Sequence, residues 1–213
     1  KVPSRDWTSG FFAGNLWQLY RLTGDSKYKE QAQKWTPFSK KESVNSNSHD
    51  VGFKVFCSFG EALKVENKKD YEAVIIKGAE TLCTRFNPKV GSIRSWDFNK
   101  EIWDYPVIID NMMNLELLFE ASKLSGNPKY RDVAIQHANT TLKNQCHHEE
   151  MLVKQQIQKM LFLQLKSKQS HHEEKYANTN TDFFVYSFLY LQPMKLVAIK
   201  NRLLNVPKEV LQK

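Results

Sequence analysis

Residues 11–35 have the sequence FFAGNLWQLYRLTGDSKYKEQAQKW, which predicts two helices joined by a tight turn. Apolar side chains recur every three or four positions in the first half, as they do on one face of an α-helix. Gly24 is suited to the left-handed conformation that ends many helices, and Asp25 or Ser26 is suited to the N-cap of the next one. We therefore predict a helical hairpin in this stretch.

The same pattern occurs twice more before residue 145. Two further pairs of helices are predicted, over 51–63 with 70–85 and over 111–124 with 129–143. The segments LTGDSKYKEQAQKW and LSGNPKYRDVAIQHA share Leu, Gly, Lys-Tyr and Ala at equal offsets. A repeat of about 50 residues built from two helices indicates stacked hairpins, because one hairpin cannot bury its apolar face alone. We predict an all-α fold, with a short β-hairpin in the connecting segment 90–108, where Ile93, Trp96 and Phe98 alternate.

Composition narrows the function classes. The chain has 213 residues, 41% of them apolar, which is enough for a sizeable core. Its net charge of +8 comes from scattered lysines, whereas a nucleic-acid surface needs clustered basic and aromatic residues. No apolar run is long enough to span a membrane. We expect no leader peptide within this sequence. The three cysteines are dispersed, which argues against a disulfide framework or a zinc site. Because glycine and tryptophan are absent after residue 126, we place a boundary near residue 145, between regions 1–145 and 146–213.

Two acidic residues stand in front of predicted helices, where they could carry chemistry. Asp50 lies in SHDVGF (48–53), and Asp110 lies in YPVIIDNMMN (105–114). Both could simply be N-caps, a position that favours Asp. Alternatively, both carboxylates face one pocket, where apolar walls and a second carboxylate raise a carboxyl pKa and make it useful as a general acid and base. His49 could orient Asp50 or bind a substrate, or it could be structural.

Tryptophans in predicted loops are the other candidates for binding. Trp7, Trp96 and Trp103 lie near the same predicted rim and are suited to the apolar faces of sugars, although they could equally pack against the rim. Trp17 lies in mid-helix, and we expect it in the core. The two His-His-Glu-Glu motifs after residue 145 lack the helical spacing of zinc ligands, so we expect no metal there.

Three blocks together resemble a known family. WTSGFFAGNLWQLYRLTGD (7–25), HDVGF (49–53) and DNMMNLELL (110–118) are similar, in order and spacing, to unsaturated glucuronyl hydrolases of glycoside hydrolase family 88. The resemblance covers about residues 5–145 and implies an (α/α)6 toroid. It implies an unsaturated uronic-acid oligosaccharide as substrate, hydration of its C4=C5 double bond, and no metal or organic cofactor.

The resemblance also assigns roles to individual residues. Asp110 corresponds to the general acid and base, and Asp50 corresponds to the second carboxylate. His49 and Trp7 correspond to positions that line the substrate site, and we add Trp103 as a sugar-binding candidate. The implied source is bacterial, in the cytoplasm or periplasm; the oligomeric state is not indicated.

The resemblance stops before the family pattern is complete. The family's first helix and its segments beyond residue 145 have no counterpart here, and residues 146–213 match nothing in that pattern. We therefore expect an incomplete toroid, and a chain that is weakly active or inactive when it is expressed alone. Two other functions remain open: a non-catalytic helical repeat that binds a partner, and a related unsaturated rhamnogalacturonyl hydrolase. We expect neither nucleic-acid nor membrane binding.

Overall fold

The computed structural model describes residues 2–145, in which six helices form three successive hairpins. The predicted second region, 146–213, lies outside the described residues, as do both His-His-Glu-Glu motifs. Within residues 2–145, no helix combines the length and the apolar character needed to cross a bilayer.

The first hairpin confirms the prediction made from its turn. Helix α1 spans Phe11–Thr23, and helix α2 spans Ser26–Trp35 and continues as a 3-10 helix over Thr36–Val44. Gly24 ends α1 in the left-handed conformation, with φ of 71°. Asp25 is the N-cap of α2, and its carboxylate accepts a hydrogen bond from the backbone N–H of Lys27.

The second hairpin contains the most buried helix of the described region. Its first helix, α3, is a π-helix over Gly52–Gly60 that ends in an α-helical turn, Glu61–Leu63. All nine residues of the π-helix are buried, since α1 and the helices over Lys69–Cys83 and Leu115–Ser125 pack around it. Helix α4 spans Lys69–Cys83.

The β-hairpin lies closer to α4 than the sequence predicted. Strands β1, Phe86–Asn87, and β2, Ser92–Ile93, pair antiparallel. The prediction that Trp96 and Phe98 continue this alternation is wrong, because both lie in the following loop, where their rings stack at 5.3 Å. The half-buried ring of Trp96 and the exposed ring of Phe98 gain more from stacking on each other than from a two-stranded sheet with no third strand.

The third hairpin begins with a 3-10 helix, Ile109–Asn114, that leads directly into α5, Leu115–Ser125. Helix α6 spans Pro128–Gln145. The core contains side chains from all three hairpins. Its largest fully buried members are Trp17, Val51, Val55, Ile75, Leu82, Ile93, Leu115, Leu117 and Leu118. The burial of Trp17, whose indole N–H donates to the Thr36 hydroxyl at 2.8 Å, confirms its predicted place in the core.

Candidate active site

His49 brings the two predicted acids together. Its Nε2 lies 3.3 Å from Asp50 Oδ1 and 3.6 Å from Asp110 Oδ1. The two carboxylates therefore lie together where α3 and the 3-10 helix before α5 begin, and the partly exposed surface around Asp50 and Asp110 is called the hollow below. The imidazole is almost fully buried behind them, whereas 20% of the Asp50 side chain and 36% of the Asp110 side chain are exposed. The acids are accessible from solvent, and the histidine lies behind them.

The segment that carries His49 is fixed by the loop after β2. The backbone N–H of His49 donates to Ser95 O at 3.0 Å, and Ser48 forms a β-bridge with Trp96. The Ser95 hydroxyl, itself buried, accepts from the backbone N–H of Ile108, just before the helix of Asp110. The buried Ser95 thus connects the two segments that carry Asp50 and Asp110.

Two buried asparagines hold the segment that carries Asp110. Asn111 Nδ2 donates to Ile93 O at 3.0 Å, which ties the 3-10 helix to β2. Asn114 Oδ1 accepts from the backbone N–H of Phe53 at 3.0 Å, which ties the same helix to the start of α3. Asp110 is the second residue of this 3-10 helix, so it is not the N-cap that one interpretation of the sequence allowed.

Burial dominates the electrostatics of His49. Desolvation lowers the pKa of His49 from 6.5 to about 4; the charge of Asp50 opposes this, and the cations of Arg85 and Lys54 reinforce it. The imidazole is therefore neutral at pH 7. Because two carboxylate oxygens, which accept hydrogen bonds, face Nε2, we assign the single imidazole proton to that nitrogen.

The predicted tryptophans lie at the same end of the molecule at different distances from the acids. Trp7 packs edge-on against Phe11 and Phe53, and Phe53 is the second residue of α3, three residues after Asp50. Trp103 contacts Trp96, which pairs with Ser48, so it is one ring removed from the Asp50 segment. Both indoles are partly exposed, at 44% and 42%. Trp7 is thus connected to the start of α3 through Phe53, and Trp103 is connected to Ser48 through Trp96.

Two concavities of the structure are lined by residues other than Asp50 and Asp110. One, of about 500 Å³, is lined by α6 and Val90, and the other, of about 630 Å³, lies between residues 2–5 and the 3-10 helix after α2. Neither is lined by paired acids. Among residues 2–145, no group of three or more His, Cys, Asp or Glu side chains could hold a metal ion.

The model of the family described as Glycosyl Hydrolase Family 88 matches residues 1–173. The chain belongs to this family. The unsaturated glucuronyl hydrolase of Formosa agariphila is 63% identical over 146 residues, which cover 68% of this chain and 36% of that relative. The unsaturated chondroitin disaccharide hydrolase of Streptococcus pyogenes is 33% identical over 139 residues, which cover 64% of this chain and 35% of the relative.

A solved structure in family 88 shows the same fold. The crystal structure of an unsaturated glucuronyl hydrolase specific for heparin superposes with a TM-score of 0.66 at 45% identity, over 69% of this chain and 39% of that chain. The likeness confirms the predicted fold class: helical hairpins that form part of an (α/α)6 toroid. The chain spans about a third of the length of the curated relatives that it matches.

Several residues that shape the site were not predicted. Asn111 and Asn114 stand three positions apart, on either side of Met112 and Met113, and Lys54 interrupts the apolar run VGFKVFCSF. A polar residue on a buried helical face is a signal that it has a partner inside the protein. Arg85 carried no such signal. It is buried, donates to Arg94 O at 2.7 Å and to Ser46 O, and pairs with Asp97 at 2.7 Å, and so fixes the loop between β2 and the site.

Proposed function

We propose that this chain carries the acid–base centre of an unsaturated glucuronyl hydrolase and hydrates the C4=C5 double bond of a terminal unsaturated uronic acid. The observation that carries the proposal is the position of His49 Nε2 within 3.3 Å of Asp50 and 3.6 Å of Asp110. The two acids come from sequence blocks that lie within the match to family 88.

The chemistry requires one proton and one water molecule. A protonated Asp110 gives its proton to C4, and the π electrons of the double bond form the new C–H bond. The positive charge left at C5 is shared with the ring oxygen. Water then adds to C5 and returns a proton to the Asp110 carboxylate, so the acid of the first step becomes the base of the second. The resulting C5 hemiketal opens, and the neighbouring sugar is released.

The other residues of the hollow have supporting roles. Asp50 stabilises the positive charge that develops on the ring, because it is a carboxylate held close to the same hollow. His49 lies behind both acids, and the single N–H at Nε2 points toward Asp50, the nearer of the two. Trp7 offers an exposed aromatic face to the apolar side of the sugar, and Trp103 offers a second one farther out. The uronic-acid substrate class is supported by relatives and a structural neighbour whose names refer to glucuronyl groups, chondroitin disaccharides and heparin.

The test compares the wild-type chain with D110N. The substrate is an unsaturated disaccharide from a heparin or chondroitin lyase digest, and the readout is loss of the ultraviolet absorbance of its conjugated double bond. Because the chain spans about a third of its relatives' length, we expect slow turnover and use high protein concentrations. D110N should lower the rate by about 100-fold or more, the contribution of a general acid–base group.

The matched control is D70N, which removes the same charge from an exposed carboxylate at the start of α4. It should retain the wild-type rate. Circular dichroism checks that all three proteins are folded. A wild-type chain whose rate does not exceed that of D110N contradicts the proposal.

A further inference from the structure

A buried lysine, Lys54, lies one helical turn after Asp50. It is 3% exposed, and its Nζ lies 3.3 Å from Ser48 Oγ and 4.0 Å from Glu42 Oε2. An ammonium group has three donors and no acceptor, and burying it costs free energy unless partners compensate for the lost water. The partners of Lys54 therefore indicate why the cation is there.

The contact with Lys54 fixes the direction of the Ser48 hydroxyl. Ser48 Oγ accepts from Lys54 Nζ, which cannot accept in return, and lies 3.3 Å from the backbone N–H of Asp50, which can only donate. The one hydrogen of the hydroxyl is thus left for Asp50 Oδ2, 2.9 Å away. A serine without the cation could turn its hydrogen elsewhere.

Glu42 holds the cation in place. Its Oε1 accepts from the Ser4 hydroxyl at 2.5 Å, its Oε2 accepts from Asn45 Nδ2 at 2.7 Å, and the side chain is as buried as that of Lys54. With both oxygens fixed, Glu42 balances the charge of Lys54 and leaves it no freedom to swing away from Ser48.

We propose that Lys54 is a positioning residue for Asp50 and that it acts through Ser48. The hydroxyl holds Asp50 Oδ2 on one side, so Oδ1 is directed toward His49 and the hollow. Lys54 does not face the hollow itself. This inference rests on the proposed function for its catalytic consequence, but the orientation of Asp50 can be measured without turnover.

Four substitutions test the proposal. S48A removes the hydroxyl and keeps the cation, and S48T restores the hydroxyl. K54M alone would leave Glu42 buried without its counter-ion. The double variant E42Q/K54M is therefore used instead, because it removes both charges of the pair and leaves the net charge of the protein unchanged. K77M is the matched control, since Lys77 forms an exposed ion pair with Glu80 on α4.

The first readout is the side-chain rotamer of Asp50, from three-bond NMR couplings. We expect one rotamer in wild type, K77M and S48T, and averaging in S48A and E42Q/K54M. The second readout is the rate of double-bond loss. S48A and E42Q/K54M should each lower kcat by about ten-fold or more, because misdirected catalytic groups lose rate steeply, whereas S48T should keep most of it and KM should change little.

Two outcomes overturn the inference. A single, wild-type rotamer of Asp50 in E42Q/K54M shows that Lys54 does not position it. A loss of rate in E42Q/K54M with no loss in S48A shows that the cation acts through its charge alone. If wild type shows no turnover, the proposed function fails, while the couplings still decide the role of Lys54.

Discussion

Replacing His49 with Gln should make the protein less sensitive to mild acid. His49 is buried, and its pKa falls from 6.5 in the unfolded chain to about 4 in the folded protein. Below pH 6.5 His49 is therefore protonated in the unfolded state, whereas it stays neutral in the folded state until the pH approaches 4. Stability is lost as the pH falls from about 6.5, and the loss is complete near pH 4.

The size of the effect follows from the shift. One pKa unit corresponds to about 1.4 kcal/mol, so the full shift of His49 corresponds to roughly 3 kcal/mol, of which about 2 kcal/mol is lost by pH 5. Gln does not titrate and can still donate a hydrogen bond to a carboxylate. The free-energy difference between H49Q and wild type should therefore move by about 2 kcal/mol in favour of H49Q between pH 7 and pH 5.

Urea denaturation followed by circular dichroism at pH 7, 6 and 5 measures this difference. The window lies above the usual titration range of carboxylates, so ordinary Asp and Glu residues contribute little to it. His137 offers a second case, because burial, with an additional contribution from His49, lowers its pKa to about 4 as well. If the curves of wild type and H49Q run parallel from pH 7 to pH 5, the reasoning is refuted.

Two further substitutions test the packing of the site. G52A places a Cβ within 2.7 Å of the Cα of Asn114, so it should separate the segments of the two acids, lower the free energy of unfolding by about 1–3 kcal/mol and lower turnover. G78A is the control, because its Cβ meets nothing closer than 3.3 Å. Equal turnover rates in G52A and G78A would contradict the argument from close contact. W17F removes the indole N–H that donates to Thr36 and leaves a small void, so urea denaturation should show a free energy of unfolding that is lower by about 1–3 kcal/mol. W7F is the control, because its ring is exposed, and it should lose less stability. An equal loss in both variants would contradict the argument.

The helices and the two acids could be predicted because their signals are local. Periodic apolar residues, Gly24 and Asp25 fix the first hairpin regardless of what packs against it. The shared hollow of Asp50 and Asp110 followed from the fact that each precedes the first helix of a hairpin, and equivalent ends of stacked hairpins lie together. The role of each residue in the chemistry stays a prediction until D110N and H49Q are measured.

The features that could not be predicted depend on distant partners. Nothing near Arg85 in the sequence indicates that it binds Ser46 and Asp97. The β-hairpin was predicted in the wrong place because the alternation of Trp96 and Phe98 resembles that of a strand. In the structure the two rings stack on each other in a loop. The 3-10 and π-helical segments were also missed, since their apolar spacing over a few residues is close to that of an α-helix.

The π-helix of α3 makes the length of the segment between His49 and Glu61 a fixed quantity. Removing one residue from Gly52–Gly60 would let the segment relax into an α-helix, which advances by about 100° per residue. Because a π-helix turns by less than this per residue, eight α-helical residues do not reproduce the turn of the nine residues that they replace, and the end that carries the imidazole and the acid would rotate against Glu61. The segment between His49 and Glu61 should therefore tolerate neither insertions nor deletions, although only its first residues belong to the hollow.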